Sequence, residues 1–187
     1  MFNIEAAIKS KIADQKILKL SNQNFSNGYI LLSLLQGIIQ INIDGTNRWV
    51  IERIDGIAGF DYYILKNLLY WSDVSTGRIN IRGLKPGDFQ HSEIFIDKSP
   101  LKWRPLALGI DFITDKIYVL NWAGKTVHVF DLESKLHTVI LDQGLNDPRD
   151  IVLDPYESLM FIADDQKVRF LKYLSKKSSS IVCHFNP

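Results

Sequence analysis

Leu68-Leu69-Tyr70-Trp71-Ser72-Asp73 is a short apolar run that ends in an aromatic pair and a carboxylate. Two weaker echoes follow it, Lys116-Ile117-Tyr118-Val119-Leu120-Asn121 and Leu159-Met160-Phe161-Ile162-Ala163-Asp164. The aromatic positions Tyr70, Tyr118 and Phe161 recur every 43 to 48 residues. A motif at that period marks a repeat architecture, and roughly 40–45 residues is the length of one four-stranded propeller blade.

Short strands and turns surround these runs. Tyr29–Leu35, Ile38–Ile43 and Arg48–Arg53 read as the last three strands of a blade, with Asp44-Gly45 as a hairpin signal. The next unit is complete: strands at Ile57–Asp61, Asn67–Asp73, Arg78–Leu84 and Glu93–Asp97, with the loop Lys85-Pro86-Gly87-Asp88 before the last. A third unit runs through Leu106–Asp111, Lys116–Trp122, Thr126–Leu132 and Leu136–Leu141. A fourth runs through Asp150–Asp154, Leu159–Asp164, Lys167–Leu174 and Ser180–His184. Each first strand is expected to end in an aspartate, Asp61, Asp111 or Asp154, lying nine, seven and seven residues before its aromatic.

One such sheet cannot bury both of its faces alone, so stacked sheets must cover each other, with large aromatics between them. The short polar residues closing the second strands, Asp73, Asn121 and Asp164, are expected to accept backbone N–H groups from a turn or a neighbouring blade. Asn121 keeps an acceptor without the charge, so its bond should be the weaker one.

The rest of the chain bounds the function. Its 187 residues suffice for one domain with a real core. Apolar content of 46% and charged content of 23% are ordinary for a globular protein. A formal net charge of +1 points neither to nucleic acid nor to an anionic membrane. The single cysteine, Cys183, excludes an internal disulfide framework. Residues 4–20 read as an amphipathic leader helix, with Ile4, Ile8, Ile12 and Leu18 roughly on one face. Glu5, Lys9 and Lys11 interrupt any secretory signal there, and the longest apolar stretch, Tyr29 to Ile39, is too short to span a bilayer. Read alone, the chain would stay in the cytosol. Residues 1–26 are thus a leader helix and linker, and 27–187 the β domain. Asn24-Phe25-Ser26 in the linker is a glycosylation sequon, meaningful only in a secreted chain.

These units resemble the class B, or YWTD, repeats of the low-density lipoprotein receptor family. Tyr70-Trp71-Ser72-Asp73 differs from that motif only in Ser for Thr. The pattern continues in Leu106-Ala107-Leu108-Gly109-Ile110-Asp111, in Gly144-Leu145-Asn146-Asp147-Pro148-Arg149, and in Asp150-Ile151-Val152-Leu153-Asp154-Pro155. Ile43-Asp44-Gly45-Thr46-Asn47-Arg48 looks like the family's third-strand exit turn. The resemblance covers about residues 29–174 and is strongest to a propeller of a low-density lipoprotein receptor-related protein. Val119 and Ile162 stand where the motif has tryptophan, and Leu120 and Ala163 where it has threonine. The resemblance implies an all-β fold of consecutive blades, about three and a half of the family's six. It also implies an extracellular or endosomal location within a membrane receptor, and a part of a longer protein. Open blade edges would then be a route to self-association.

No catalytic constellation stands out, since nothing like Gly-x-Ser-x-Gly occurs, and the four histidines show no metal spacing. No cofactor is expected. Adjacent Asp164 and Asp165 point to opposite faces of a strand and do not converge on a cation. Partners are expected to be protein ligands or adjacent receptor modules, not nucleic acid, with a membrane reached only through a parent receptor. The loops after second strands and those leading into first strands should share one end of the propeller. They carry the ligand-face candidates Trp122, Trp103 and Arg149. A histidine between blades is a further candidate, as a pH sensor; His128 itself reads as ordinary packing. The main functional expectation is therefore a non-enzymatic module of an endocytic receptor, binding or releasing proteins. The alternatives are a metal-dependent lactonase, which the apolar first strands Ile57-Ala58-Gly59 and Leu106-Ala107-Leu108 disfavour, and a non-functional fragment.

Overall fold

A computed structural model describes residues 29–34, 37–43, 48–52, 56–84, 92–98, 102–164, 167–172 and 182–184. The expected leader helix, the sequon at Asn24, the loop at 85–88, His91 and Asp165 lie outside the described residues. The described residues are all β, with no helix. The chain divides into two compact units, Met1–Asp55 and Gly56–Pro187.

The first unit contains one antiparallel sheet of β1 (Tyr29–Leu34), β2 (Gly37–Asn42) and β3 (Arg48–Glu52), in that order. Ile38 and Ile39 are buried in it. The second unit contains three four-stranded antiparallel sheets, each a simple meander. Blade 1 is β4 (Ile57–Tyr63), β5 (Leu68–Asp73), β6 (Arg78–Gly83) and β7 (Glu93–Asp97). Blade 2 is β8 (Pro105–Asp111), β9 (Lys116–Asn121), β10 (Thr126–Asp131) and β11 (His137–Leu141). Blade 3 is β12 (Pro148–Asp154), β13 (Leu159–Asp164), β14 (Lys167–Lys172) and β15 (Val182–His184). The first strands lie side by side, β4 against β8 and β8 against β12, as the inner strands of a propeller do.

Burial along the second strands follows from this stacking. β9 is buried at every position but its first, because blade 2 is covered on both faces. Ile117 and Val119 face the blade 1 seam, and Tyr118 and Leu120 the blade 3 seam. In β13 burial alternates: Met160, Ile162 and Asp164 are buried, whereas Leu159, Phe161 and Ala163 are half-open. Phe161 thus occupies the register of Tyr70 and Tyr118 on a face that is only partly covered.

Turn chemistry explains where strands stop. The carboxylate of Asp111 accepts the N–H groups of Ile113 and Thr114 at 2.9 and 3.2 Å. Asp154 does the same for Tyr156 and Glu157, and Asp131 for Glu133 and Ser134. An aspartate before a turn supplies a local acceptor that ends the ladder. Blade 1 departs from this. β4 continues two residues past Asp61, and Tyr63, not Asp61, holds the register of Asp111 and Asp154. Asp61 pairs across the ladder with Tyr70 itself, in the register of Gly109 and Val152. The expectation that Asp61 closes its strand is corrected. The carboxylate instead bridges blades, accepting the N–H of Ile110 in β8 at 2.8 Å.

Candidate protein-interaction face

Each second strand delivers its last polar residue to the end of the blade where the chain re-enters the first strand. Asp73, Asn121 and Asp164 share one register and are all buried. Asp73 turns forward and accepts the N–H groups of Ser75 and Thr76 and the Ser75 hydroxyl, at 2.6 to 3.1 Å. Burial pushes its carboxyl up, but the bonds from Ser75 and Thr76 outweigh that and hold it below the ordinary value. Asp164 turns back and accepts the N–H groups of Asn146 and Asp147, the latter at 2.7 Å. Asn121 also turns back. Its Oδ1 accepts the N–H of Arg104 at 2.8 Å, and its Nδ2 donates to the Lys102 carbonyl at 3.0 Å. The carboxamide lacks a charge but supplies a donor that a carboxylate could not, so it grips the lead-in loop of β8 at two points.

That grip places a connected group of side chains. Trp122, the residue after Asn121, donates its backbone N–H to the Arg104 carbonyl at 3.0 Å, and Lys125 donates its own to the Trp122 carbonyl at 3.2 Å. The Trp122 side chain is 43% exposed, and its indole N–H donates to Asp147 Oδ1 at 3.1 Å. Arg149 bonds the other oxygen of the same carboxylate. The indole bond, then the Arg149 guanidinium and the Lys125 charge, hold the Asp147 carboxyl below the ordinary range. Two ligand-face candidates, Trp122 and Arg149, are therefore brought together, and Asp147 is the joint between them. Asp147 carries no signal of its own in the loop Gly144-Leu145-Asn146-Asp147-Pro148-Arg149; only the fold places it between an indole donor and an arginine.

Trp103 does not belong to this face. It is only 5% exposed, and its indole N–H donates across the seam to the Gly77 carbonyl of blade 1 at 3.0 Å. Its ring meets His128 and Phe130 edge-on, with centroids 4.8 and 5.9 Å apart, and Lys98 Nζ lies 4.8 Å above it. A tryptophan that spends its polar handle on a neighbouring blade is a seam residue.

His128, half-buried, lies nearly parallel to Phe130 and His137, 6.3 and 6.0 Å from their centroids, while those two rings stack on each other at 4.9 Å; its Nε2 bonds Thr126 Oγ1 at 2.9 Å. Burial, then the Lys98 and His137 charges, lowers its pKa to about 4. His137 faces Lys98 Nζ at 3.0 Å and is lowered as well, first by burial and then by that lysine.

Among the described residues, no three His, Cys, Asp or Glu side chains form a group that could hold a metal ion. No helix among them is long and apolar enough to cross a membrane.

No protein-family model matches the chain. Protein cueball of Drosophila yakuba is 29% identical over 125 residues, covering 66% of this chain and 19% of that protein. The Drosophila ananassae protein of that name is 26% identical over 123 residues, 65% of this chain and 19% of the relative. The Drosophila erecta protein aligns over 165 residues at 25% identity, 87% of this chain and 25% of the relative. The chain thus spans a fifth to a quarter of the curated relatives it matches. Among solved structures, the crystal structure of a nidogen/laminin complex superposes with a TM-score of 0.67 at 19% identity, covering 76% of this chain and 56% of that one. That likeness, with the three stacked meanders, shows the fold to be that of β-propeller blades.

Proposed function

We propose that this chain is the propeller part of a non-enzymatic protein-interaction module, in a receptor-like protein of the low-density lipoprotein receptor class B kind. The observation that carries the reading is the Trp122–Asp147–Arg149 cluster. An exposed indole, oriented by a carboxylate that an arginine also holds, has the composition of an interface hot spot. The partially intact motif at Tyr70-Trp71-Ser72-Asp73 and the structural likeness to nidogen, crystallised in a complex with laminin, support protein ligands and an extracellular location. The inner strands support a binding role better than catalysis. Ala107, Leu108 and Ile110 of β8 are buried and apolar, and Asp150, the polar exception, is engaged with the Ile151 N–H at 2.8 Å.

The test is a binding screen of the full chain against displayed ectodomains of secreted and cell-surface proteins. The expected result is at least one binder whose affinity falls about tenfold or more in Trp122→Ala, as loss of a hot-spot tryptophan does. A binder indifferent to Trp122, or no binder at all, would overturn the reading.

A further inference from the structure

We infer that the Trp122 face takes an acidic protein segment, one that lays an apolar or proline side chain on the indole and carboxylates around it. The inference rests on the proposed binding role and adds the chemistry of the partner.

Among the described residues the loops around Trp122 carry more cations than acids, Lys102, Arg104, Lys125 and Arg149 against Asp142 and Asp147. Lys102 and Arg104 are set by the two hydrogen bonds of Asn121, and Lys125 closes the Trp122 turn with a left-handed backbone (φ 50°). All three are exposed. None forms an ion pair with a described residue. The one carboxylate joined to the cluster, Asp147, is engaged by Arg149 and by the indole N–H. A partner therefore meets exposed Lys102 and Arg104, and Lys125 partly offset by Asp147, on loops whose backbones are bonded to Asn121 and Trp122, in a chain whose overall charge is only +1.

The ring narrows the partner further. Because its N–H is spent on Asp147, the indole offers a face for stacking and no donor. A segment bearing only carboxylates would leave that face in water. A dense polyanion such as a sulfated polysaccharide would also bring charge against Asp147. An acidic peptide with one apolar anchor satisfies both the ring and the cations.

The opposite end of the same blades sharpens the contrast. The β10–β11 turn there carries Asp131 and Glu133 beside Lys135, and the β12–β13 turn carries Glu157. The lysine at the β4–β5 turn, Lys66, is already paired with Asp115 at 3.1 Å. Acids thus outnumber lysines in the described turns of that end, whereas cations outnumber acids on the described loops around Trp122.

The experiment selects a displayed library of short random peptides on the full chain, on Trp122→Ala, and on the triple variant Lys102→Glu, Arg104→Glu, Lys125→Glu. Thermal melts control for folding. The expected outcome is enrichment of Asp- and Glu-rich peptides with an apolar or proline residue, lost on Trp122→Ala and lost or reversed in charge on the triple variant. Binding of a selected peptide should also weaken at least about fivefold as salt rises from about 0.1 to about 1 M, which cuts the screening length from about 10 to about 3 Å. That salt series needs no variant to fold. Enrichment of neutral or basic peptides that still depends on Trp122 would overturn the acidic partner and leave the binding role standing. Retention on heparin at physiological salt with no acidic peptide selected would overturn it in favour of a polysaccharide. No enrichment, or enrichment indifferent to Trp122, would overturn both.

Discussion

The two seams between the three complete blades are built from different chemistry. At the seam of blades 1 and 2, Tyr70, Phe95, Ile79, Trp103, Leu108, Val119 and Phe130 pack into one apolar cluster that polar bonds cross at several points. Ser72 sits at its heart, fully buried. Its hydroxyl accepts the Gly59 N–H at 3.0 Å and lies within reach of the Gly59 and Leu106 carbonyls. Asp61 reaches Ile110, Trp103 reaches Gly77, and the Tyr63 hydroxyl donates to Asp115. The seam of blades 2 and 3 is filled by Tyr118, Leu120, Val127, Ile151, Leu153, Met160 and Ile162. A polar contact crosses it at the rim, where Trp122 meets Asp147. Tyr70 and Ser72 of the nearly intact motif face the polar seam, and Tyr118 and Leu120 of the degenerate one the apolar seam. Replacing a hydroxyl by Leu120 exchanged a hydrogen bond for volume. Apolar replacement of a satisfied polar group is nearly neutral, whereas removing one partner alone is costly.

The largest effects should come from emptying either seam. Trp103→Ala should cost about 3–5 kcal/mol, the range for truncating a buried tryptophan, and Met160→Ala about 2–5 kcal/mol. Chemical denaturation would measure both. The comparison breaks if Met160→Ala proves the more damaging, because only Trp103→Ala also takes a donor from a carbonyl across the seam, leaving Gly77 with just the longer 3.4 Å bond from the Lys98 N–H.

The glycines of the two first strands give a sharper contrast. A Cβ on Gly59 would lie 2.8 Å from Ala107 Cα and 2.9 Å from the Leu106 carbonyl, both backbone atoms of the next blade. A Cβ on Gly109 would lie 2.9 Å from Leu153 Cγ and 3.2 Å from its Cδ1, side-chain atoms that can turn aside where a backbone cannot. Gly59→Ala should therefore destabilise by about 3 kcal/mol and Gly109→Ala by about 1 kcal/mol, the two ends of the overpacking range. Equal costs would mean that the blades slide apart as readily at one seam as at the other.

Much of this was legible in the sequence. The period of Tyr70, Tyr118 and Phe161 placed the second strands, and the strand-ending polar residues marked their last positions. What failed was register. Asp61 precedes its aromatic by nine residues instead of seven, and that offset already set it apart from Asp111 and Asp154. A strand runs as far as its ladder and turn allow, and here the turn is held by Lys66 N–H on the Tyr63 carbonyl, with no carboxylate. Trp103, a ligand-face candidate by its loop, is buried for a different reason. Its loop neighbours Lys102 and Arg104 are exposed, and only the Gly77 carbonyl, 26 residues earlier, draws the indole inside. Contacts across a seam carry no local pattern. The pairing of Trp122 with Arg149 through Asp147 belongs to the same class.

Ser72 tests the polar seam directly. Ser72→Ala should cost about 1–3 kcal/mol, the penalty for stranding the Gly59 N–H in a dry interior. Ala163, in the same register of blade 3, already lacks the hydroxyl. Ala163→Ser should bring no comparable gain. A Ser72→Ala variant with an unchanged melt would show the bond to be replaceable by water.

Acid should act on the first seam before the second. His128 lies there, against Trp103, with Lys98 and His137 as its charged neighbours. Its pKa falls from an ordinary value near 6.5 to about 4 in the fold. Between those values the unfolded chain takes a proton that the folded chain refuses, so stability drops as pH falls from about 6.5 to about 4. Below about 4 this histidine contributes no further change. His128→Phe should flatten that part of the melting curve against pH. An unaltered slope would place the acid sensitivity elsewhere, for instance at Asp73, whose depressed carboxyl loses its stabilising charge only at lower pH.

The smallest effects separate the two groups that share Asp115. The Tyr63 hydroxyl donates to its Oδ1 from a ring that is only 2% exposed, and Lys66 reaches the same atom at 3.1 Å from the surface. The Lys66 and Asp115 side chains are 50% and 49% exposed, so water and salt screen their attraction. Tyr63→Phe should cost about 1.5 kcal/mol, the low end for a hydrogen bond to a charged acceptor, since that acceptor is half exposed. Lys66→Ala should cost about 0.5 kcal/mol or less, and that cost should vanish at high salt. The order matters more than either value. If Lys66→Ala were the costlier change, the first seam would be fastened at its surface, and the contrast between a polar interior and an apolar one would no longer explain why the motif survives only in blade 1.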